Sequence, residues 1–176
     1  MVTNNFKAIC AAVLQATGGN EFEGKGYVGA IKTLSGGSEC LAPLGTTNYP
    51  YEVYAYYNPS NFGGFILSTD STPATAGDYE VQGTIDNLEC EAYCYASGVD
   101  ESGNPYITYR IDIENWGEST YLRSIGYAQT VTAGEESSDS THDSLVLLDR
   151  TVLPSVIYLP QNELVTVDYT LKTILY

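Results

Sequence analysis

The sequence predicts an all-β protein, an antiparallel β-sandwich or jelly-roll-like domain with one short helix at its N-terminus. Segments rich in Tyr, Ile, Val and Thr follow one another, separated by Gly, Pro, Asn or Ser. Such spacing is typical of sandwiches and jelly rolls. One helical pattern precedes these segments, so we expect an N-terminal helical segment, residues 1–19, and a single β-sandwich domain, residues 20–176.

The helical pattern lies at residues 6–16, where apolar side chains recur every three or four residues. Asn4 or Asn5 is placed to cap this helix, and Gly18 and Gly19 end it. The apolar face either packs on the protein's own sandwich or docks on a partner as an anchor. The residues of this face are Phe6, Ile9, Cys10, Val13 and Leu14.

The predicted strands are residues 27–34, 51–57, 62–68, 89–96, 106–114, 124–130, 145–148 and 164–176. Apolar and polar side chains alternate most clearly in 106–114, so one face of that strand belongs to the core and the other to solvent. The continuous apolar run 145–148 indicates a central strand. Ile174 and Tyr176 make the last strand apolar on both faces at its end, which indicates either a central strand or an edge covered by another subunit.

One acidic segment, residues 133–144, stands between two predicted strands and is expected to be a solvated, mobile loop. Its carboxylates are oxygen ligands of a kind that Ca²⁺ accepts, but they lack the spacing of an EF-hand. Ser140, His142 and Asp143 supply the residue types of a catalytic triad, yet neighbours in one loop cannot hold that geometry. We therefore expect no metal site, no cofactor and no enzymatic activity.

Charge argues against two classes of partner. The 176 residues, a length typical of one domain, include 22 Asp and Glu against 7 Lys and Arg, a formal net charge of -15. Binding to nucleic acid or to an anionic membrane depends on cationic side chains, so we expect neither. The four cysteines form no zinc-binding pattern with the single histidine. We expect free buried thiols, with a disulfide to another segment or another chain as the alternative. The start of the chain is a poor signal peptide, which favours synthesis in the cytoplasm.

Tyrosine dominates the polar composition, with 16 residues. Tyr-rich surfaces suit contact with proteins or sugars, although Tyr also forms strands and fills β-rich cores. Trp116 is either a plug of the core or, with Tyr121 and Tyr127, a platform on which a sugar ring stacks. A glycan-binding adhesin module, with a host-surface glycan as its ligand, is therefore one alternative function.

Several stretches in order resemble a module common in bacteriophage virion proteins. The first, residues 63–85, has an apolar strand, a Thr-rich loop and a Pro-x-x-x-x-Asp-Tyr stretch. The others read Arg-Ile-Asp-Ile-Glu-Asn, Arg-Ser-Ile-Gly-Tyr, Leu-Leu-Asp-Arg-Thr-Val and Thr-Val-Asp-Tyr-Thr-Leu, at residues 110–115, 123–127, 147–152 and 166–171. The chain departs from the family at Arg123 and Ser124, where the family tends to Glu, and no family pattern corresponds to residues 88–95.

The resemblance implies a structural subunit of a tailed-phage virion, made in the host cytoplasm, that self-associates and docks to other virion proteins. Such proteins are described as tail, fibre, neck or head accessory components. We expect a tail or neck accessory protein first, with a head decoration or head-fibre protein as the alternative. The residues expected to carry assembly or partner binding are Phe6, Ile9, Val13, Arg150, Ile174 and Tyr176.

Arg150 is isolated in an apolar stretch. We expect it to pair with a carboxylate such as Asp149 or Asp168 on a neighbouring strand or subunit, because a buried charge needs a partner. Reversal of its charge is then expected to abolish assembly or folding.

Overall fold

A computed structural model describes residues 1–9, 30–41, 63–134 and 141–172. These residues form antiparallel strands in two packed sheets with one short N-terminal helix, which confirms the predicted all-β sandwich. The strands are β1 (Ala30–Lys32), β2 (Ser38–Leu41), β3 (Gly63–Ser68), β4 (Leu88–Val99), β5 (Pro105–Asn115), β6 (Thr120–Gly134), β7 (Thr141–Leu159) and β8 (Leu164–Lys172).

The larger sheet is built around β6. This strand pairs with β7 along most of its length, with β3 at residues 124–129 and with β2 at Ala133 and Gly134. β1 continues the sheet beyond β2. The smaller sheet has the order β4-β5-β8, with β5 in its centre.

The alternation predicted for β5 is confirmed. Ile111 and Ile113 are completely buried, while the residues between them face outward. β8 follows the same rule, with Val167 and Tyr169 in the core. Among the described strands β8 pairs with β5 alone and so lies at a sheet edge, whereas Ile174 and Tyr176 fall outside the described residues.

Aromatic rings join the two sheets. The ring of Phe65 on β3 lies 5.2 Å from that of Tyr109 on β5 and 5.4 Å from that of Tyr169 on β8, measured between centroids. Tyr127 on β6 lies 5.1 Å from Phe65. Offset and edge-on rings at these distances attract one another beyond the area they bury. Around them pack Leu67, Leu122, Ile125, Val146, Leu148 and Leu159.

The N-terminal helix starts at residue 4 and is described as far as residue 9. The predicted Asn caps are wrong, because Thr3 Oγ1 accepts the hydrogen bond from the Phe6 amide at 3.5 Å. The Asn5 side chain instead bonds to both backbone groups of Lys32, at 2.7 and 2.8 Å. Phe6 and Ile9 pack against the core. This part of the apolar face therefore packs on the protein's own sandwich. Val13 lies outside the described residues.

Segment boundaries differ from the prediction at the 133–144 loop and at β2. The expected loop at 133–144 is narrower, because Ala133 pairs with His142 and Gly134 with Thr141 in the β6–β7 ladder. Strand β2, Ser38–Leu41, is not among the predicted strands. The predicted strand 51–57 lies outside the described residues.

Strand β7 also extends well beyond the predicted residues 145–148, through Pro154. Its pairing with β6 is interrupted there: Leu122 faces Ile157, but Ser124 faces Val152. Proline has no amide hydrogen to donate, so its place in the interrupted stretch costs the ladder no hydrogen bond.

Gly126 lies at a tightly packed point of the core. A Cβ atom at Gly126 would lie 2.5 Å from Val81 Cγ2 and 3.1 Å from Leu147 Cδ1. We expect Gly126→Ala to lower the free energy of unfolding by about 1–3 kcal/mol, measured by urea denaturation, because the surrounding side chains have to shift. The control is Gly77→Ala, whose Cβ would meet only Thr75 Oγ1, at 3.7 Å. Equal stability of the two variants would contradict this packing.

Candidate functional site

The Arg150 side chain is 5% exposed and makes the main ionic cluster among the described residues. Its Nη2 atom donates to Asp70 Oδ2 at 2.5 Å and to the Thr72 carbonyl at 3.0 Å. Its Nη1 atom donates to Asp78 Oδ2 at 3.0 Å. Arg150 Nε is buried without a hydrogen-bond partner. We call Arg150, Asp70 and Asp78 the arginine clasp.

Each aspartate of the arginine clasp also closes a local turn. Asp70 accepts from the Thr72 amide at 2.9 Å and from the Thr72 hydroxyl at 2.7 Å. Asp78 accepts from the Thr75 amide at 3.1 Å and from the Thr75 hydroxyl at 2.6 Å. Aspartate favours such turns because its short side chain reaches nearby backbone amides. The arginine clasp therefore ties two turns of one segment, residues 69–82, to strand β7.

These contacts lower the pKa of both carboxyl groups. For Asp70 the hydrogen bonds from Thr72 are the main cause, and Arg150 adds to them. For Asp78 burial acts to raise the pKa, but the hydrogen bonds from Thr75 and Arg150 outweigh it and the net pKa is lowered. Carboxylates held ionised in this way are poorly matched to proton transfer near neutral pH. The arrangement suits the positioning of a segment better than acid–base chemistry.

The partners predicted for Arg150 are wrong, because both are engaged elsewhere. Asp149 accepts a short hydrogen bond from the Tyr169 hydroxyl and lies 3.0 Å from the Met1 amino nitrogen. Burial, with the charge of Asp149 second, raises the pKa of Tyr169. Asp168 binds Arg110 through two hydrogen bonds, at 2.8 and 2.9 Å. Neighbours in sequence on a strand point to opposite faces, which is why Asp149 cannot serve Arg150.

The residues predicted to stack on a glycan are divided between core and surface. Trp116 is 54% exposed and Tyr121 is 52% exposed, so the interpretation of Trp116 as a core plug is wrong. Tyr127, by contrast, is 5% exposed and lies in the aromatic core, where no ligand reaches it. Burial raises its pKa well above the usual range. Sequence reasoning missed Tyr158, which is half exposed and packs against Tyr121 across the β6–β7 ladder, at 5.3 Å between centroids.

The remaining chemical candidates are distributed as follows. Of the three residues that have the side-chain types of a triad, His142 and Asp143 belong to β7, while Ser140 lies outside the described residues. Cys90 and Cys94 are free thiols, as expected, and burial raises the pKa of Cys90 to about 11. Within the described ranges no group of three or more His, Cys, Asp and Glu side chains is arranged to hold a metal ion. None of the described helical residues forms a helix long and apolar enough to cross a membrane.

Comparison with known proteins finds no matching family model, no matching curated protein and no matching solved structure.

The arginine clasp predicts a large loss of stability for Arg150→Met. The variant keeps the length of the side chain but leaves Asp70 and Asp78 without their cation, and breaking a buried pair in this way costs about 3–5 kcal/mol of unfolding free energy. The control is Arg110→Met, which removes a more exposed pair with side-chain exposures of 30% and 44% and costs at most about 1 kcal/mol. Equal losses in urea denaturation would contradict a stabilising role for the clasp.

The lowered pKa values predict acid sensitivity. In the unfolded chain Asp70 and Asp78 bind protons at a higher pH than in the folded protein, so their contribution to stability is complete above the ordinary aspartate pKa of 3.8. That contribution is lost as the pH falls through the lower, folded values. We expect the double variant Asp70→Asn/Asp78→Asn to show a smaller fall in unfolding free energy between about pH 5 and pH 2 than the wild type. A fall of unchanged size would show that other groups cause the acid sensitivity.

Proposed function

We propose that this protein is a structural subunit of a tailed-bacteriophage virion, which acts by self-association and by docking to other virion proteins. A tail or neck accessory protein is the favoured position in the particle. A head decoration or head-fibre protein is the alternative. The proposal starts from the resemblance of residues 63–85 and 106–176 to virion proteins and is supported by the positions of the matching stretches in the fold.

The supporting observation is that the stretches carrying the resemblance contact one another in the fold. Asp70 and Asp78 of the first stretch bind Arg150 of the Leu-Leu-Asp-Arg-Thr-Val stretch. Gly126 faces Arg150 across the β6–β7 ladder. Arg110 binds Asp168, which joins the remaining two stretches. The stretches that carry the resemblance therefore contact one another in both sheets, which is compatible with a single structural module.

The surface gives independent support for a protein that works through contacts. Large apolar side chains are exposed on both sheets, and such side chains are typical of interface cores. These residues are Tyr93, Tyr95, Val99, Trp116, Tyr121, Val156, Tyr158 and Leu164. Arg150 is occupied within the fold, so its proposed contribution is to folding and not to direct contact with a partner.

Purified phage particles provide the test of this function. We expect mass spectrometry to find the chain in the particles, and immunogold electron microscopy with an antibody against it to label the tail or neck. Gold label distributed uniformly over the capsid would instead indicate a head decoration protein. Absence of the chain from purified particles would reject the virion function.

A second candidate function, glycan binding, is supported by the half-exposed rings of Trp116 and Tyr121. Aromatic rings at the surface offer apolar faces on which sugar rings stack. It predicts that the isolated protein binds members of a glycan array and that Trp116→Ala removes this binding with little change in unfolding free energy. Leu164→Ala, a substitution at another exposed apolar residue, serves as the control. Failure of the wild-type protein to bind any glycan would reject this candidate.

A further inference from the structure

The outer face of the smaller sheet carries four carboxylates in adjacent register positions. Glu89 on β4 lies opposite Glu114 on β5, and Glu91 lies opposite Asp112. All four belong to the outward side of the sheet, since the residues between them on β5 are buried. Like charges placed directly opposite one another on paired strands repel. We call these four residues the acidic face.

The described cations form no ion pair with the acidic face. Glu89 accepts a hydrogen bond from the Trp116 indole at 3.3 Å, and Asp112 accepts one from the Thr166 hydroxyl at 2.5 Å. Neither donor carries a charge. The nearest cation along β5, Arg110, donates two hydrogen bonds to Asp168, and its guanidinium lies 3.7 Å from the centroid of the Tyr95 ring. Among the described residues, the four carboxylates form no ion pair.

Aromatic side chains lie beside these carboxylates. Trp116 is half exposed and bonded to Glu89. Tyr93, also half exposed, is two residues further along the outward side of β4. Exposed rings next to unpaired charges are well suited to contact with Lys and Arg, whose stems pack on rings while their charged ends reach carboxylates.

Strand β4 lies at one end of the smaller sheet. Among the described strands it pairs with β5 alone. Its 12 residues, Leu88–Val99, include no Lys, Arg or Pro, so the charged side chains of this strand are all acidic. A register shift between Cys94 and Ala96 is the one irregularity in its pairing with β5.

We propose that the acidic face, with Tyr93 and Trp116, is the docking surface for a Lys- or Arg-bearing surface of another virion protein. This inference rests on the proposed function and names the chemistry of the partner. Its affinity decreases with ionic strength, because the contact is made between solvent-exposed charges.

A second copy of this chain is a poor occupant of the acidic face. The chain has 7 Lys and Arg and a net charge of -15, so two copies repel. Arg110, Arg150 and Lys172 are already in ion pairs, and Lys32 lies over the Tyr79 ring. Among the described cations, only Lys7 and Arg123 have no such contact. Two cations do not match four carboxylates, which leaves a basic surface on a different protein as the complementary partner.

The direct test is zero-length cross-linking of intact purified particles with a carbodiimide, which joins a carboxylate to a lysine amine in contact with it. We expect mass spectrometry to find Glu89, Glu91, Asp112 or Glu114 joined to lysines of a different virion protein. Cross-links from these positions only to lysines of this chain would overturn the proposal in favour of a second copy. If the chain is present in particles but these carboxylates react only with an added free amine, the face is unoccupied and the proposal is wrong.

A matched pair of variants gives an independent measurement. Glu91→Lys reverses a charge within the acidic face, while Glu101→Lys makes the same change at an exposed position in the turn after β4. In particles assembled from phage that lacks the wild-type gene, we expect at least about tenfold fewer copies of Glu91→Lys than of Glu101→Lys. The isolated Glu91→Lys protein should unfold at a temperature no lower than the wild type, because it removes the repulsion with Asp112.

The outcomes separate the two proposals. Equal incorporation of Glu91→Lys and Glu101→Lys would overturn the docking surface and leave the virion function standing. Absence of the wild-type chain from particles would overturn the virion function, and the docking surface with it.

Discussion

The buried guanidinium of Arg150 is the interaction on which the rest of this structure depends. A buried arginine costs free energy unless carboxylates and carbonyls surround it, and here Asp70, Asp78 and the Thr72 carbonyl do so. The segment that supplies them, residues 69–82, is not part of any strand. It lies over the sheet because the arginine clasp holds both of its turns, and Val81 then packs where Gly126 has no side chain.

The same ion-pair chemistry has a different consequence on the other sheet. Arg110 and Asp168 pair with good geometry on an outward face, where water screens the interaction and its net contribution is small. Because Arg110 is paired with Asp168, the four carboxylates Glu89, Glu91, Asp112 and Glu114 on the same face keep their negative charge. Burial therefore decides that one arginine organises the fold, while the other only adjusts the charge pattern of the surface.

Tyrosine side chains lie on both the inner and the outer faces of the sandwich, with a different function on each. Tyr109, Tyr127 and Tyr169 join the sheets around Phe65, and Tyr93 and Tyr121 are half exposed. A ring with a polar end is suited to both places, because it fills a core and also tolerates water. The exposed rings and unpaired carboxylates are concentrated on sheet faces, which is the arrangement proposed above for contacts between virion proteins.

Much of the fold follows from local pattern. Alternation with a period of two identified β5 and β8, and the single helical period identified the N-terminal helix, because side-chain direction in a strand or helix is a local property. The burial of Ile111 and Ile113 was predictable for the same reason. The start of β7 was not, because its pairing with β6 extends into residues 141–144, which are polar and carry no alternating pattern.

Contacts between distant residues were decided only by the tertiary structure. The sequence indicated that Arg150 needs a carboxylate, but the expected partners were Asp149 and Asp168. The carboxylates that bind it, Asp70 and Asp78, are 80 and 72 residues away. The sequence also did not show that Tyr127 is buried and Tyr121 exposed. Both residues belong to β6, and only packing against the second sheet buries Tyr127. The sequence by itself determined the β-sandwich, the need of Arg150 for a carboxylate and the negative charge. The tertiary structure decided which carboxylates are bound and which remain on the surface, because partner choice depends on distances that strand pairing and sheet packing create.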